Sequence, residues 1–219
     1  MTSSLLPDGG GQSPVRFTRD DLPWLPWLEP VAEADLTDVQ KTALVDKARV
    51  RSDYFRLLAR APAILEARTK TARDIFHNDA GGLPRAEREL AATATSRVNG
   101  CIYCASVHAR FAAHYSRRPG DIDRLLAQGP DADLGERWNA LVAAAKAITA
   151  TPSRFGAAEV TRLRKAGLDE GAIADLIQSA AFFNWANRLM LSLGGPVTSH
   201  PAPVSIPSDA PAIASGRPL

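Results

Sequence analysis

Along most of the chain, polar and apolar positions follow a helical period. Ala, Leu, Arg and Glu dominate, and β-branched alternation never lasts more than a few residues. No convincing strand appears, so the expected fold class is all-α. Helices are predicted at about 37–50, 53–61 and 63–77, the last two parted by Pro62, which a helix interior does not tolerate. Another opens at "LPRAERELAATATSRV", with Pro84 at its first position and Glu87 near the positive end of its dipole. "NG" at 99–100 ends it, and Asn99 is read as the cap of the next helix, which runs to about Arg117. Helices at about 120–128, 134–150 and 157–166 follow, then a long one capped by Asp169 and stopped by Gly194, Gly195 and Pro196.

The pattern fails at the ends. Residues 1–19 read as a mobile N-terminal tail, rich in Gly, Ser and Pro up to residue 15, and 196–219, with six prolines, as a mobile C-terminal one. "LPWLPWLEP" at 22–30 cannot be ordinary helix, so 20–36 is expected to be an extended arm carrying Trp24 and Trp27. The arm either packs on its own domain, the favoured reading, or reaches a neighbouring subunit. Residues 37–195 are left as one helical domain. No self-similar period points to a solenoid.

Composition narrows the function. The chain has 219 residues, with 26 Lys and Arg against 24 Asp and Glu, a net charge of +2 that is too balanced for a nucleic-acid or membrane-surface partner. The opening residues have no signal-peptide pattern, and no segment approaches the ~18 apolar residues of a membrane span. A soluble cytoplasmic protein is expected. In a reducing compartment its two cysteines, Cys101 and Cys104, are more naturally redox-active or metal-binding than a structural disulfide.

Both cysteines fall in "NGCIYCASVH". At about 100° per residue, Cys101, Cys104 and His108 share a helical arc of about 60°. The helix N-terminus favours a thiolate at Cys101, whereas His108, one turn beyond Cys104, is placed as a base toward that thiol, directly or through a water. A base needs an orienting group, and the preceding helix offers Glu87 or Glu89 on different faces. Glu87 lies on the apolar stripe of Leu90, Ala94 and Val98. Glu89 shares its face with Ala92, Thr93 and Ser96, whose small side chains allow close approach, and is preferred. A zinc site from Cys101, Cys104, His108 and His114 is the competing chemistry, although His114 points about 120° away from His108. Tyr103 is read as core or interface, and His77 and His200 as solvated. Asn184, Asn187 and Arg188, polar positions in the last helix, are read as caps or interface residues, with a pocket lining as the alternative.

The stretch "ERELAATATSRVNGCIYCASVHARFA" resembles the core motif of the AhpD-like alkylhydroperoxidases of the carboxymuconolactone decarboxylase superfamily: a glutamate, eleven intervening residues, then Cys-x-x-Cys-x-x-x-His. Glu89, Cys101, Cys104 and His108 fit every spacing. "LLARAPAILEA" and "AAFFNWANRLMLSLG" resemble the family's preceding and closing helices more loosely. The resemblance implies an AhpD-like helical bundle, usually a homotrimer or homohexamer, that reduces organic hydroperoxides without a cofactor. It implies that Cys104 attacks the peroxide, that Cys101 resolves the sulfenic acid as a disulfide, and that Glu89 and His108 relay the proton. A dithiol reductant, lipoyl or thioredoxin-like, would restore the pair. Tyr103 stands where the best-studied branch has a further histidine. The reading from a different class is a non-catalytic protein whose cysteines sense oxidation or hold zinc, with the Trp arm binding a partner.

Overall fold

The computed structural model describes residues 16–78, 80 and 82–197; of the expected tails at 1–19 and 196–219, all but 16–19 and 196–197 lie outside them. Nine helices are present among the described residues: α1 Asp38–Ala43, α2 Asp53–Leu58, α3 Pro62–His77, α4 Arg85–Asn99, α5 Ile102–Ser116, α6 Pro119–Gln128, α7 Glu136–Thr149, α8 Ala157–Lys165 and α9 Glu170–Leu193. None is long and apolar enough to cross a membrane. The fold is the all-α one expected, with helix ends mostly within two residues of the reading.

α4 lies at the centre, packed against α5, α7 and α9. Its sequence explains this: Leu90, Ala91, Ala92 and Ala94 are all fully buried, so small side chains let three helices approach one axis. Leu125, Leu141, Leu163 and Leu176 fill the larger gaps of that core. A second apolar cluster, formed by Trp24, Tyr54, Leu57, Phe76, Phe183 and Met190 with both cysteines, sits where α9 meets the arm and the start of α5.

Three expectations are corrected. The 37–50 helix is instead α1 and a separate 3-10 turn at Lys47–Arg51, divided at Val45, whose φ of 64° no helix continues. Asn99 is not a cap: it is the last residue of α4, Gly100 takes the left-handed conformation (φ 78°), and Cys101 itself stands at the N-cap of α5. A short antiparallel ladder also exists, pairing β1 Trp24–Pro26 with β2 Gly194–Pro196. Trp24 is buried edge-on to Tyr54, with ring centroids 5.5 Å apart. It lies so close to Gly194 that a β-carbon there would overlap the indole. The inner part of the arm therefore packs on its own chain, while Trp27 is left 68% exposed.

Candidate active site

The Gly100 turn reverses the chain between α4 and α5 so that the two helices run side by side, and it sets both cysteines against α9. The Cys101 N–H donates to Ser96 O (2.9 Å), which fixes the elbow, and Cys104 lies one turn into α5. The two cysteines are free, 3.2 Å apart, and only 1% and 7% exposed.

The pair shares its charge unequally. The Cys104 thiol hydrogen-bonded to Cys101 holds the Cys101 thiol below its ordinary range against the opposing effect of burial. The same contact, with burial, pushes Cys104 well above its own. The first proton to leave the pair therefore comes from Cys101, as the helix N-terminus also favours. The Asn187 amide lowers both thiols.

Asn187 is the site residue that sequence reasoning undervalued. Its side chain is fully buried; its Nδ2 donates to Ser96 Oγ (3.0 Å), and its Oδ1 accepts from Asn99 Nδ2 (3.1 Å). Asn99 also donates to Asn184 Oδ1 (2.9 Å). The amide thus ties α9 to the elbow carrying Cys101. Arg188 instead points outward and reaches Thr151 Oγ1 at 3.4 Å. A polar side chain in an otherwise apolar helix was the available signal.

The two candidate glutamates separate clearly. Glu87 turns to Arg137, which donates to both of its oxygens at 2.7 Å. Glu89 is fully buried, with Oε2 2.5 Å from His108 Nδ1 and Oε1 accepting from Arg85 Nε at 2.6 Å. A carboxylate can only accept, so the ring donates from Nδ1 and leaves Nε2 as its basic nitrogen. His108 is further held edge-to-face by Phe183 (4.2 Å between centroids) and tilted on Phe76 (5.3 Å). Arg85 reaches back to Phe76 O and lies 3.3 Å from His77 Nδ1. Burial, then the Arg85 charge, lowers the His77 imidazole. An orienting carboxylate and an oriented histidine are thus in place, while no hydrogen bond joins the ring to either sulfur.

The four-ligand zinc set does not assemble. His114 is exposed and stacks edge-on with Tyr115, and no three of the described His, Cys, Asp and Glu side chains form a metal-sized group. Tyr103 is half-buried against the cluster containing the cysteines, and that burial raises its phenol.

Residues 62–147 match the family model described as carboxymuconolactone decarboxylase family. No curated protein sequence matches the chain. A peroxidase-related protein from Ralstonia eutropha JMP134, described as having an alkylhydroperoxidase AhpD core, is similar at 25% identity and a TM-score of 0.63, over 74% of this chain and 86% of that one. A peroxidase-related protein from Silicibacter sp. TM1040 is similar at 24% identity and a TM-score of 0.63, over 86% and 96%. The debrominase Bmp8 shares the fold at 16% identity and a TM-score of 0.58, over 76% and 89%. The motif, complete at every spacing, lies inside the stretch that matches the carboxymuconolactone decarboxylase family model, and the chain is similar in fold to peroxidase-related proteins, one of them with an AhpD core.

Proposed function

We infer that the protein is a thiol-dependent peroxidase that reduces organic hydroperoxides with Cys104, Cys101, His108 and Glu89. The observation that carries this reading is the pairing of two free, adjacent thiols with a histidine oriented by a buried carboxylate on the neighbouring helix. Cys101 is the lower thiol of the pair, so attack by Cys104 requires the Cys104 proton to pass to an ionised Cys101 across the 3.2 Å gap, or to His108 through a water. The Cys104 thiolate then attacks the terminal peroxide oxygen. An S–O bond forms, the O–O bond breaks, and the alkoxide leaves as the alcohol after taking a proton from the relay. Cys101 attacks the sulfenic sulfur, water departs, and a disulfide remains. A dithiol reductant, a lipoyl group or a thioredoxin-like protein, reopens it with two electrons and two protons. A reducing cytoplasm would supply that reductant, and assembly as a trimer or hexamer fits the exposed Trp27.

The Bmp8 debrominase shows that this fold carries other chemistry, so the test must read the sulfur directly. Intact mass after one equivalent of cumene hydroperoxide should fall by two hydrogens. With dimedone present, Cys101→Ser should retain a trapped sulfenic acid on Cys104, while Cys104→Ser should trap none. A trap on Cys101 in the Cys104→Ser protein would reverse the two sulfur roles. A protein unreactive toward peroxide would defeat the reading.

A further inference from the structure

The proposed chemistry leaves unused a cavity of about 400 Å³ at the far end of α9, between the arm, the end of α2 and the first turns of α3. Its wall is almost wholly apolar, with Leu28, Leu58, Ile64, Trp185, Leu189 and Leu193 prominent. Ile64 and Trp185 expose 60% and 42% of their surface, so the cavity opens to solvent through large apolar side chains.

Two arginines line it, and they differ. Arg60 is already committed, donating to Glu29 O from Nε and Nη2 (3.3 and 2.8 Å). Arg68 has no described carboxylate: it reaches only the Tyr54 hydroxyl, and its buried Nε–H has no acceptor. Its guanidinium is held on aromatic rings, 5.9 Å from Tyr54, 5.3 Å from Phe55 and 5.7 Å from Phe182. Arg49 occupies the same Phe55 ring at 4.7 Å, so two cations converge there. Burial and then the Arg68 charge hold Arg49 below its ordinary range. A half-buried cation without a counter-ion at the wall of an apolar cavity has a plain chemical complement.

We propose that this cavity binds a small amphipathic carboxylate, its anionic head on Arg68 and its alkyl chain along Leu58, Ile64, Trp185 and Leu189. Rings and apolar walls of this kind, with one convergent charge, are the usual anatomy of a ligand site. The head group is specified by charge, because the wall offers Arg68 no carboxylate of its own. The cavity borders the cluster that holds the sulfurs, sharing Leu57 with it, and the Arg68 charge reaches Cys104 and lowers that thiol, yet ligand uptake is read without any peroxide turnover.

Calorimetric titration of the full chain with sodium decanoate, below its micellar range, tests this. One decanoate per chain is expected, with decan-1-ol binding at least about tenfold more weakly because it lacks the charge. Arg68→Met should erase the difference between the two ligands while tail binding persists. Ala61→Trp, at an exposed cavity-lining position, should abolish uptake of both. Equal binding of acid and alcohol by the unaltered protein, uptake insensitive to Ala61→Trp, or no uptake at all would overturn the proposal. So would uptake seen only when light scattering shows an oligomer dissociating, which would assign the cavity to a contact between copies.

Discussion

Replacing Arg85 by Met removes the cation that shares Glu89 with His108. The Glu89 side chain is 1% exposed, Arg85 is 21% exposed, and their atoms meet at 2.6 Å. Two unit charges about 4 Å apart attract by about 4 kcal/mol at an effective dielectric near 20. Partial solvent access to the arginine reduces this to about 2 kcal/mol. The raw loss of stability will be larger, because the guanidinium also lies over the rings of Phe76 and Tyr115, at 5.4 and 5.0 Å. A double-mutant cycle with Glu89→Gln separates the two effects. Arg85→Met should cost about 3 kcal/mol and Glu89→Gln about 2, with the double variant about 2 kcal/mol more stable than their sum predicts. Urea unfolding followed by circular dichroism gives the four values, provided the slopes agree. Additivity within about 0.5 kcal/mol would mean that Arg85 serves packing alone and that His108 holds the carboxylate unaided.

Four further outcomes follow from the same geometry. Asn187→Ala should cost about 2–3 kcal/mol, since it strips a partner from buried Ser96 and one of two from half-buried Asn99, and Asn187→Asp should slow iodoacetamide alkylation at pH 8 by setting a carboxylate against the sulfurs. Cys104→Ala should move the alkylation midpoint of Cys101 upward, because it removes the thiol that holds Cys101 down; an unchanged midpoint would refute that cause. Burial pushes Tyr54 up to about 12, so the folded state keeps a proton that the unfolded chain loses; stability should fall by about 1.4 kcal/mol per pH unit between 10 and 12, and Tyr54→Phe should remove that part of the slope in alkaline urea titrations. Gly194→Ala should release the arm, seen as faster amide exchange at Leu25 and a red-shifted Trp24 emission, since a β-carbon there has no space beside the indole.

Helix positions were legible because period and punctuation agreed. Pro62 parts α2 from α3, Asp169 caps α9 through Ala172 N, and Gly194 follows the end of α9, as read. The β1–β2 ladder was not, because it joins proline- and glycine-bearing segments about 170 residues apart and has no room for alternation. The Asn99 error is instructive: the same "NG" supports a cap or an ending, and tertiary contacts chose the ending by giving the Asn99 amide two acceptors on α9. The choice of Glu89 over Glu87 was readable from the small residues on its face. Arg85 was also within reach of the sequence, standing four residues before Glu89, but nothing in the chain order shows that Phe76 and Tyr115 would hold it there.

The resting arrangement keeps its two charged groups apart. Glu89 satisfies both Arg85 and His108 in one place, and the sulfur pair satisfies its charge internally, helped by Asn187. Neither set borrows from the other, since His108 makes no bond to sulfur. A sulfur pair buried behind Trp24, Phe183 and Met190, each sulfur set against the other, is poorly reached by chance oxidants. Reactivity then requires something polar to enter between His108 and Cys104 and join the sets, a role that a hydroperoxide or a water bound with it can fill. For the proposed peroxidase chemistry, selectivity would come from the missing bond as much as from those present. A variant that forged the link permanently should lose discrimination against haloacetamides before it gains rate with hydroperoxides.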